Sequence, residues 1–160
     1  MDTSPEITTK GFVPVLSISP VVEDHCALQN ILRRLQSLID PNRTFIVHTC
    51  TTLAAALRTL SKSQFEVVVC ERDLAPGSWE DVLDHAVILP DPPPLIVTSW
   101  LADAHLWAAV LNLGGFDVLV KPFDRTETMR VVDAAWRAFG GQQLAVRRRQ
   151  KWKGATARPA

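Results

Sequence analysis

The chain has 160 residues, of which 47% are hydrophobic, and its formal net charge is zero. This length and apolar content suit one compact domain with a sizeable core. The first ten residues are polar, and no stretch approaches the roughly 20 apolar residues that span a bilayer. We therefore expect neither a signal peptide nor a membrane helix, and predict a cytoplasmic protein.

The charge is divided unevenly along the chain. Residues 1–139 hold all 17 acidic residues but only 11 of the 17 basic ones, a net charge of −6. Residues 140–160 hold six basic residues and no acidic one. We predict disordered ends at residues 1–10 and 140–160 around a domain at 11–139. Alternatives for the basic tail are contact with nucleic acid or an anionic membrane, or a helix that continues from the domain.

Short β-branched runs alternate five times with amphipathic stretches at helical spacing. The predicted strands cover residues 12–19, 44–50, 65–71, 95–99 and 116–120, and the predicted helices cover 23–38, 52–61, 79–89, 103–113 and 124–139. This order predicts an α/β fold, with a doubly wound five-stranded parallel sheet of the flavodoxin type.

Polar residues follow four of the predicted strands. Ser19-Pro20, Glu71, Thr98-Ser99 and Lys121 each come at a strand's carboxyl end. In open α/β sheets, ligands bind at that edge. The four histidines show no ligand-like spacing, so we expect no metal site built on them.

The segment Leu113–Phe123, which reads LGGFDVLVKPF, closely resembles a signature of the receiver domains of bacterial response regulators. The resemblance covers about residues 11–139. It implies an aspartate after the third strand that accepts a phosphoryl group from a histidine kinase. It also implies two acidic residues that help to hold Mg²⁺, a hydroxyl and a lysine that contact the phosphoryl group, and an aromatic switch in the fifth strand.

The resemblance assigns these roles to positions of this chain. Glu71 falls at the phosphoacceptor position, with Asp73 as the alternative acceptor. Ser99 falls at the hydroxyl position, with Thr98 less favoured, and Lys121 is the lysine. A cis bond before Pro122 is the family expectation.

Four positions of the chain depart from the family pattern. Ser19 and Pro20 replace the acidic pair, Glu71 replaces the aspartate, and Val118 replaces the aromatic switch. A glutamate displaces the reacting oxygen by about 1 Å, which makes it a poor acceptor. Without the acidic pair no strong Mg²⁺ site is expected, so we predict no metal and no cofactor.

We therefore predict a pseudo-receiver, not an enzyme, that acts as a protein interaction module in a phosphorelay pathway. Glu71 would form an ion pair with Lys121 and also bond Ser99; otherwise both are exposed polar groups of little consequence. Expected partners are a histidine kinase, an output protein or another receiver, with a homodimer through the face of the fourth helix, fifth strand and fifth helix. The alternatives are a receiver phosphorylated on Asp73 and a small flavodoxin-like enzyme or ligand-binding protein.

Overall fold

The computed structural model describes residues 11–39 and 41–156. Five parallel strands form the central sheet in the order β2-β1-β3-β4-β5, which confirms the predicted fold class. The strands are β1 (Gly11–Ile18), β2 (Arg43–Cys50), β3 (Val67–Glu71), β4 (Leu95–Ser99) and β5 (Asp117–Val120). The buried strand β3 lies in the middle, as its uninterrupted apolar run predicts.

Five helices follow the strands in turn. They are α1 (Val22–Ile39), α2 (Leu53–Lys62), α3 (Trp79–Ala86), α4 (Ala104–Leu113) and α5 (Arg125–Thr156). Among the described residues, no helix combines the length and the apolar character needed to cross a membrane.

The two faces of the sheet bury separate cores because side chains alternate along each strand. Val67 and Val69 of β3 pack with apolar residues of α1 and α5. Val68 and Cys70 pack on the other face, against residues of α2, α3 and α4. This alternation decides which residues at the strand ends face one another.

Local signals in the sequence set several helix ends. Thr52 caps α2, where its hydroxyl accepts from Ala55 N, and Asp103 caps α4 in the same way through Leu106 N. Gly114 ends α4 with φ of 100°, a left-handed conformation that favours glycine. The predicted third helix is too long, since α3 ends at Ala86 instead of residue 89.

The expected disordered tail is replaced by helix. α5 runs without a break to Thr156, so the alternative of a helix that continues from the domain describes residues 140–156. Residues 142–153 contain good helix formers and no proline, which favours continuation past Gly140 and Gly141. Residues 1–10 and 157–160, which belong to the predicted disordered ends, lie outside the described residues.

Candidate functional site at the carboxyl edge of the sheet

The register of the strands brings polar side chains together on the α1/α5 face. Glu71 pairs with Thr98 across β3 and β4. Each stands two residues beyond a core residue of that face, Val69 and Ile96, so both point the same way. Lys121 likewise stands two residues beyond Leu119 of the same core. One face of the sheet edge therefore holds a carboxylate, a hydroxyl and an ammonium group.

Lys121 is the centre of a buried ion cluster. Its Nζ donates to Asp24 Oδ2 at 2.7 Å and forms a second ion pair with Glu71 Oε2. Only 3% of the Lys121 side chain is exposed, compared with 13% for Asp24 and 11% for Glu71. The cluster is thus shielded from solvent, which contradicts the alternative that Glu71 and Lys121 are exposed polar groups.

Asp24 is the member of this cluster that the sequence reasoning missed. It lies in the first turn of α1, and its Oδ2 also accepts from Ser19 Oγ at 2.6 Å. Ser19 Oγ in turn accepts from Val21 N, which ties the loop after β1 to the start of the helix. The available signal was an acidic residue in the first turn of a helix that begins at this edge.

The hydroxyl that contacts Glu71 belongs to Thr98, not to Ser99. Thr98 Oγ1 donates to Glu71 Oε2 at 3.2 Å. Ser99 is one residue further along β4, so its side chain points to the opposite face. There its Oγ exchanges hydrogen bonds with the backbone of Leu101. The expected bond between Ser99 and Glu71 is therefore wrong, and Thr98 is the hydroxyl partner of Glu71.

A buried histidine supports the loop beneath the cluster. His25 Nε2 lies 3.0 Å from the backbone oxygen of Ser19, and Nδ1 lies 2.7 Å from Ser17 Oγ. A carbonyl oxygen can only accept, so Nε2 carries a proton. Both imidazole nitrogens are therefore used to hold the segment that positions Ser19 against Asp24.

Two pKa shifts accompany this burial. Desolvation alone would lower the pKa of Lys121, but its hydrogen bonds to Asp24 and Glu71 and the charges of both carboxylates raise it above 10.5. Lys121 is therefore an ammonium at neutral pH. Burial, reinforced by the charge of Glu71, also raises the pKa of the Cys70 thiol above 9.0. Cys70 is thus a neutral core residue and not a nucleophile.

Asp73, the alternative acceptor, lies beyond β3 in a short antiparallel ladder, Asp73–Leu74 with Gly77–Ser78. Its side chain is 83% exposed, and its ion partner is Arg72 at 4.0 Å. It is not among the ion partners that the structure gives Lys121. The peptide bond before Pro122 is cis, as the family pattern predicts, and so is the bond before Pro76.

Comparison with known protein families identifies this arrangement of strand ends. The family model described as "Response regulator receiver domain" matches residues 20–133, more than half of the chain. The chain belongs to the response regulator receiver family. A comparison with curated protein sequences finds no significant match.

Solved structures of receivers share the fold. A signal receiver domain from Vibrio parahaemolyticus aligns with a TM-score of 0.72 at 17% identity, covering 83% of this chain and 96% of its own. The chemotaxis response regulator CheY4 of Vibrio cholerae aligns with a TM-score of 0.65 at 14% identity, covering 78% of this chain and 98% of its own. The beryllofluoride-activated NtrC4 receiver domain dimer aligns with a TM-score of 0.67 at 19% identity, covering 79% of this chain and 98% of its own. At these identities the likeness establishes the fold.

The side chains at this receiver's edge do not fit the Mg²⁺ that its family implies. Mg²⁺ is held by carboxylates, but the pair closest to such a role, Asp24 and Glu71, is already bridged by the ammonium of Lys121. Across the described part of the chain, no three His, Cys, Asp or Glu residues are grouped closely enough to hold a metal ion.

Val118, which the family resemblance aligns with the aromatic switch, is a small, stiff side chain. Val118 is 1% exposed and packs on the α2/α3/α4 face of the sheet. A β-branched residue has a restricted χ1 angle, so it offers little rotamer change. Trp100 is an aromatic side chain near the site, with its ring centroid 5.6 Å from Lys121 Nζ.

Proposed function

We propose that this receiver is a pseudo-receiver, whose conformation is fixed by an internal ion cluster and does not depend on phosphorylation. The observation that carries the proposal is the contact of Lys121 with both Glu71 and Asp24 in a shielded position. In this view the ammonium that would neutralise a phosphoryl group is permanently engaged by carboxylates of the chain itself.

Charge balance supports this assignment. A transferring phosphoryl group spreads negative charge over its oxygens and requires cations to stabilise it. At this edge, two carboxylates share one ammonium, so the cluster carries a net charge of about −1. A phosphoryl group placed there would meet repulsion from Glu71 and Asp24.

We further propose that the chain is a signalling module, with no enzymatic activity and no bound Mg²⁺ or other cofactor. A cavity of about 250 Å³ is present, but it lies at the amino edge, lined by Phe65, Leu89 and Pro93 among others. None of its lining residues belongs to the ion cluster. This separation argues against the alternative of an enzyme with its pocket at the carboxyl edge. The cytoplasmic location stays a prediction from the sequence.

The proposed output is contact with another protein, either a second receiver, a histidine kinase or an output protein. Large apolar side chains are exposed after β4, on α4 and at the end of β5: Trp100, Leu101, Leu111, Leu113 and Val120. Exposed apolar groups that cluster on one face commonly mark an interaction site. The NtrC4 neighbour is itself described as a receiver domain dimer.

Treatment with a small phosphodonor and Mg²⁺, followed by intact-mass measurement, tests the proposal. We expect no phosphoryl adduct on the wild-type chain, while an active receiver with its aspartate intact, used as the positive control, acquires one. An adduct on the wild-type chain that is lost in Glu71→Gln or Asp73→Asn would overturn the proposal. Loss of the adduct in Asp73→Asn would identify Asp73 as the acceptor.

A further inference from the structure

The continuation of α5 beyond the domain carries a concentrated positive charge. The helix has 32 residues, and Phe139 is the last buried one among those whose side chains the structure describes. Residues 140–156, here called the basic extension, carry Arg147, Arg148, Arg149, Lys151 and Lys153 and no acidic residue. At 1.5 Å per residue the basic extension is about 25 Å long.

The point where the basic extension leaves the domain is firmly anchored. Trp136 Nε1 donates to Glu66 Oε2 at 2.7 Å, and its ring packs edge-on against Phe45 with centroids 6.0 Å apart. Arg43 lies over the same ring at 5.3 Å. Glu66 directly precedes β3, so the basic extension departs at the amino edge of the sheet. The ion cluster lies at the opposite edge.

Within the basic extension the residue types favour helix, but the like charges repel one another. Arg147 and Lys151, and Arg149 and Lys153, are four residues apart, where like charges destabilise a helix. No acidic residue is present to form compensating pairs. The helix dipole favours cations only within the last turn, which accounts for Lys153 but not for the three arginines. An anionic partner that neutralises these charges would remove the repulsion.

The distribution of the cations narrows the choice of partner. Residues 147, 148 and 149 are consecutive, so their positions alone span about 200° around the helix axis. A helix that lies on a membrane needs one polar and one apolar face, which this spread of charge does not provide. An acidic patch on a second copy of the chain would contact only one side of the helix and would leave the cations on the other side without a partner. The major groove of a DNA duplex admits a helix and has phosphates along both walls.

We infer that the basic extension binds double-stranded DNA, through phosphate contacts on both sides of a groove. The inference does not rest on the pseudo-receiver assignment. The acidic domain, with its charge of −6, repels phosphates. Arg147 stands about 12 Å beyond Phe139, which exceeds the screening length of roughly 8 Å at physiological salt. Contact is therefore confined to the basic extension and is independent of base sequence.

Fluorescence anisotropy of a labelled DNA duplex, titrated with the full chain, tests the inference. Five phosphate contacts predict a slope of log affinity against log salt near −4.5, a loss of about 10²–10³-fold between 50 and 200 mM salt. The variant with Arg147, Arg148, Arg149, Lys151 and Lys153 changed to Gln should lose binding, since glutamine keeps helix propensity. A matched variant changes five exposed cations of the domain to Gln, namely Arg33, Arg34, Arg58, Lys62 and Arg125, and should bind like wild type.

Several results would overturn the inference. They are no binding at 50 mM salt, equal binding by the extension variant, or loss of binding in the domain variant. Binding to vesicles with 30% phosphatidylserine without binding to DNA would assign the basic extension to membranes. Salt-sensitive self-association without DNA binding, measured by sedimentation, would assign it to a second copy of the chain. The phosphodonor experiment is unaffected by these outcomes, so failure of one proposal is distinguishable from failure of the other.

Discussion

Lys121 Nζ lies 2.7 Å from Asp24 Oδ2, although the two residues are 97 positions apart in the chain. Asp24 comes from the first turn of α1, and Lys121 follows β5, which is separated from β1 by β3 and β4 in the sheet. The contact therefore connects the two sides of the carboxyl edge, from the loop after β5 to the helix after β1. Both side chains are largely shielded, so their pairing matters more for stability than an exposed ion pair would.

Removal of the ammonium should destabilise the domain strongly. Lys121→Met would leave Asp24 and Glu71 as two buried carboxylates without their cation. We expect the free energy of unfolding at pH 7 to fall by about 3–5 kcal/mol, measured by urea denaturation. Lys62→Met removes an exposed lysine and should change it by less than about 0.5 kcal/mol. Equal effects of the two substitutions would contradict a stabilising cluster.

The stability of the domain should decline above pH 9.0 and decline more steeply above pH 10.5. The pKa of the Cys70 thiol is raised by burial, so the folded state keeps a proton that the unfolded state loses above pH 9.0. The pKa of Lys121 is raised by its carboxylate partners despite burial. Its contribution is therefore complete below 10.5 and is lost as the pH rises through the higher folded value.

Urea midpoints between pH 8 and 11.5, measured for wild type and two variants, distinguish the two contributions. Cys70→Ala should flatten the first part of the decline, and Lys121→Met should flatten the second. A wild-type midpoint that stays constant over this range would show that neither group is shifted in the folded state.

Thr98, and not Ser99, should be coupled to Glu71. A hydrogen bond to a charged group contributes about 1.5–3 kcal/mol. In a double-mutant cycle, Thr98→Val with Glu71→Gln should give a coupling free energy of about 1–2 kcal/mol. Ser99→Ala with Glu71→Gln should be additive within about 0.5 kcal/mol, because Ser99 points to the other face. The reverse result would restore Ser99 as the hydroxyl partner of Glu71.

The anchor of α5 should depend on the indole nitrogen of Trp136. Burial raises the pKa of Glu66, and the hydrogen bond from Trp136 and the charge of Arg43 oppose that rise. Trp136→Phe should lower the free energy of unfolding by about 1–3 kcal/mol, since a half-buried carboxylate loses its donor. Glu66→Gln keeps an acceptor without the charge and should cost much less. Thermal unfolding of the two variants distinguishes them, and equal losses would contradict the role given to the hydrogen bond.

Association of the domain should depend on the exposed apolar residues of α4. Leu111 is 54% exposed, and Leu111→Glu should shift a concentration-dependent dimer toward monomer in sedimentation velocity. Val87→Glu places the same charge at the similarly exposed end of α3 and should leave the distribution unchanged. A wild-type chain that is monomeric at all concentrations would point instead to a heterologous partner.

The sequence was sufficient to predict the sheet and the meeting of its strand ends, because strand order and side-chain alternation follow from local patterns. It offered the ion pair between Glu71 and Lys121 as one of two alternatives, and the shielding that decides between them is seen only in the structure. The choice between Thr98 and Ser99 was also decidable in principle. Thr98 is two residues after Ile96, so the two side chains point to the same face of the sheet. Glu71 also points to that face, so its hydroxyl partner on β4 is Thr98.

Local patterns place Asp24 in the first turn of a helix that begins at this edge, but they do not give its partner. Its reach to Lys121 depends on how α1 is placed over the sheet edge, which is a property of tertiary packing. The basic extension was misread for a related reason. Charge density argued for disorder, whereas helix propensity and continuity with the anchored part of α5 favour helix.

The length of α5 gives the molecule a mechanical property. The helix starts four residues after Lys121 and runs to Thr156, so a single helix about 48 Å long joins the neighbourhood of the ion cluster to Thr156. A partner that tilted this helix by about 5° at its base would sweep its tip through roughly 4 Å. Such a lever would report a rearrangement at the sheet edge without any chemical modification.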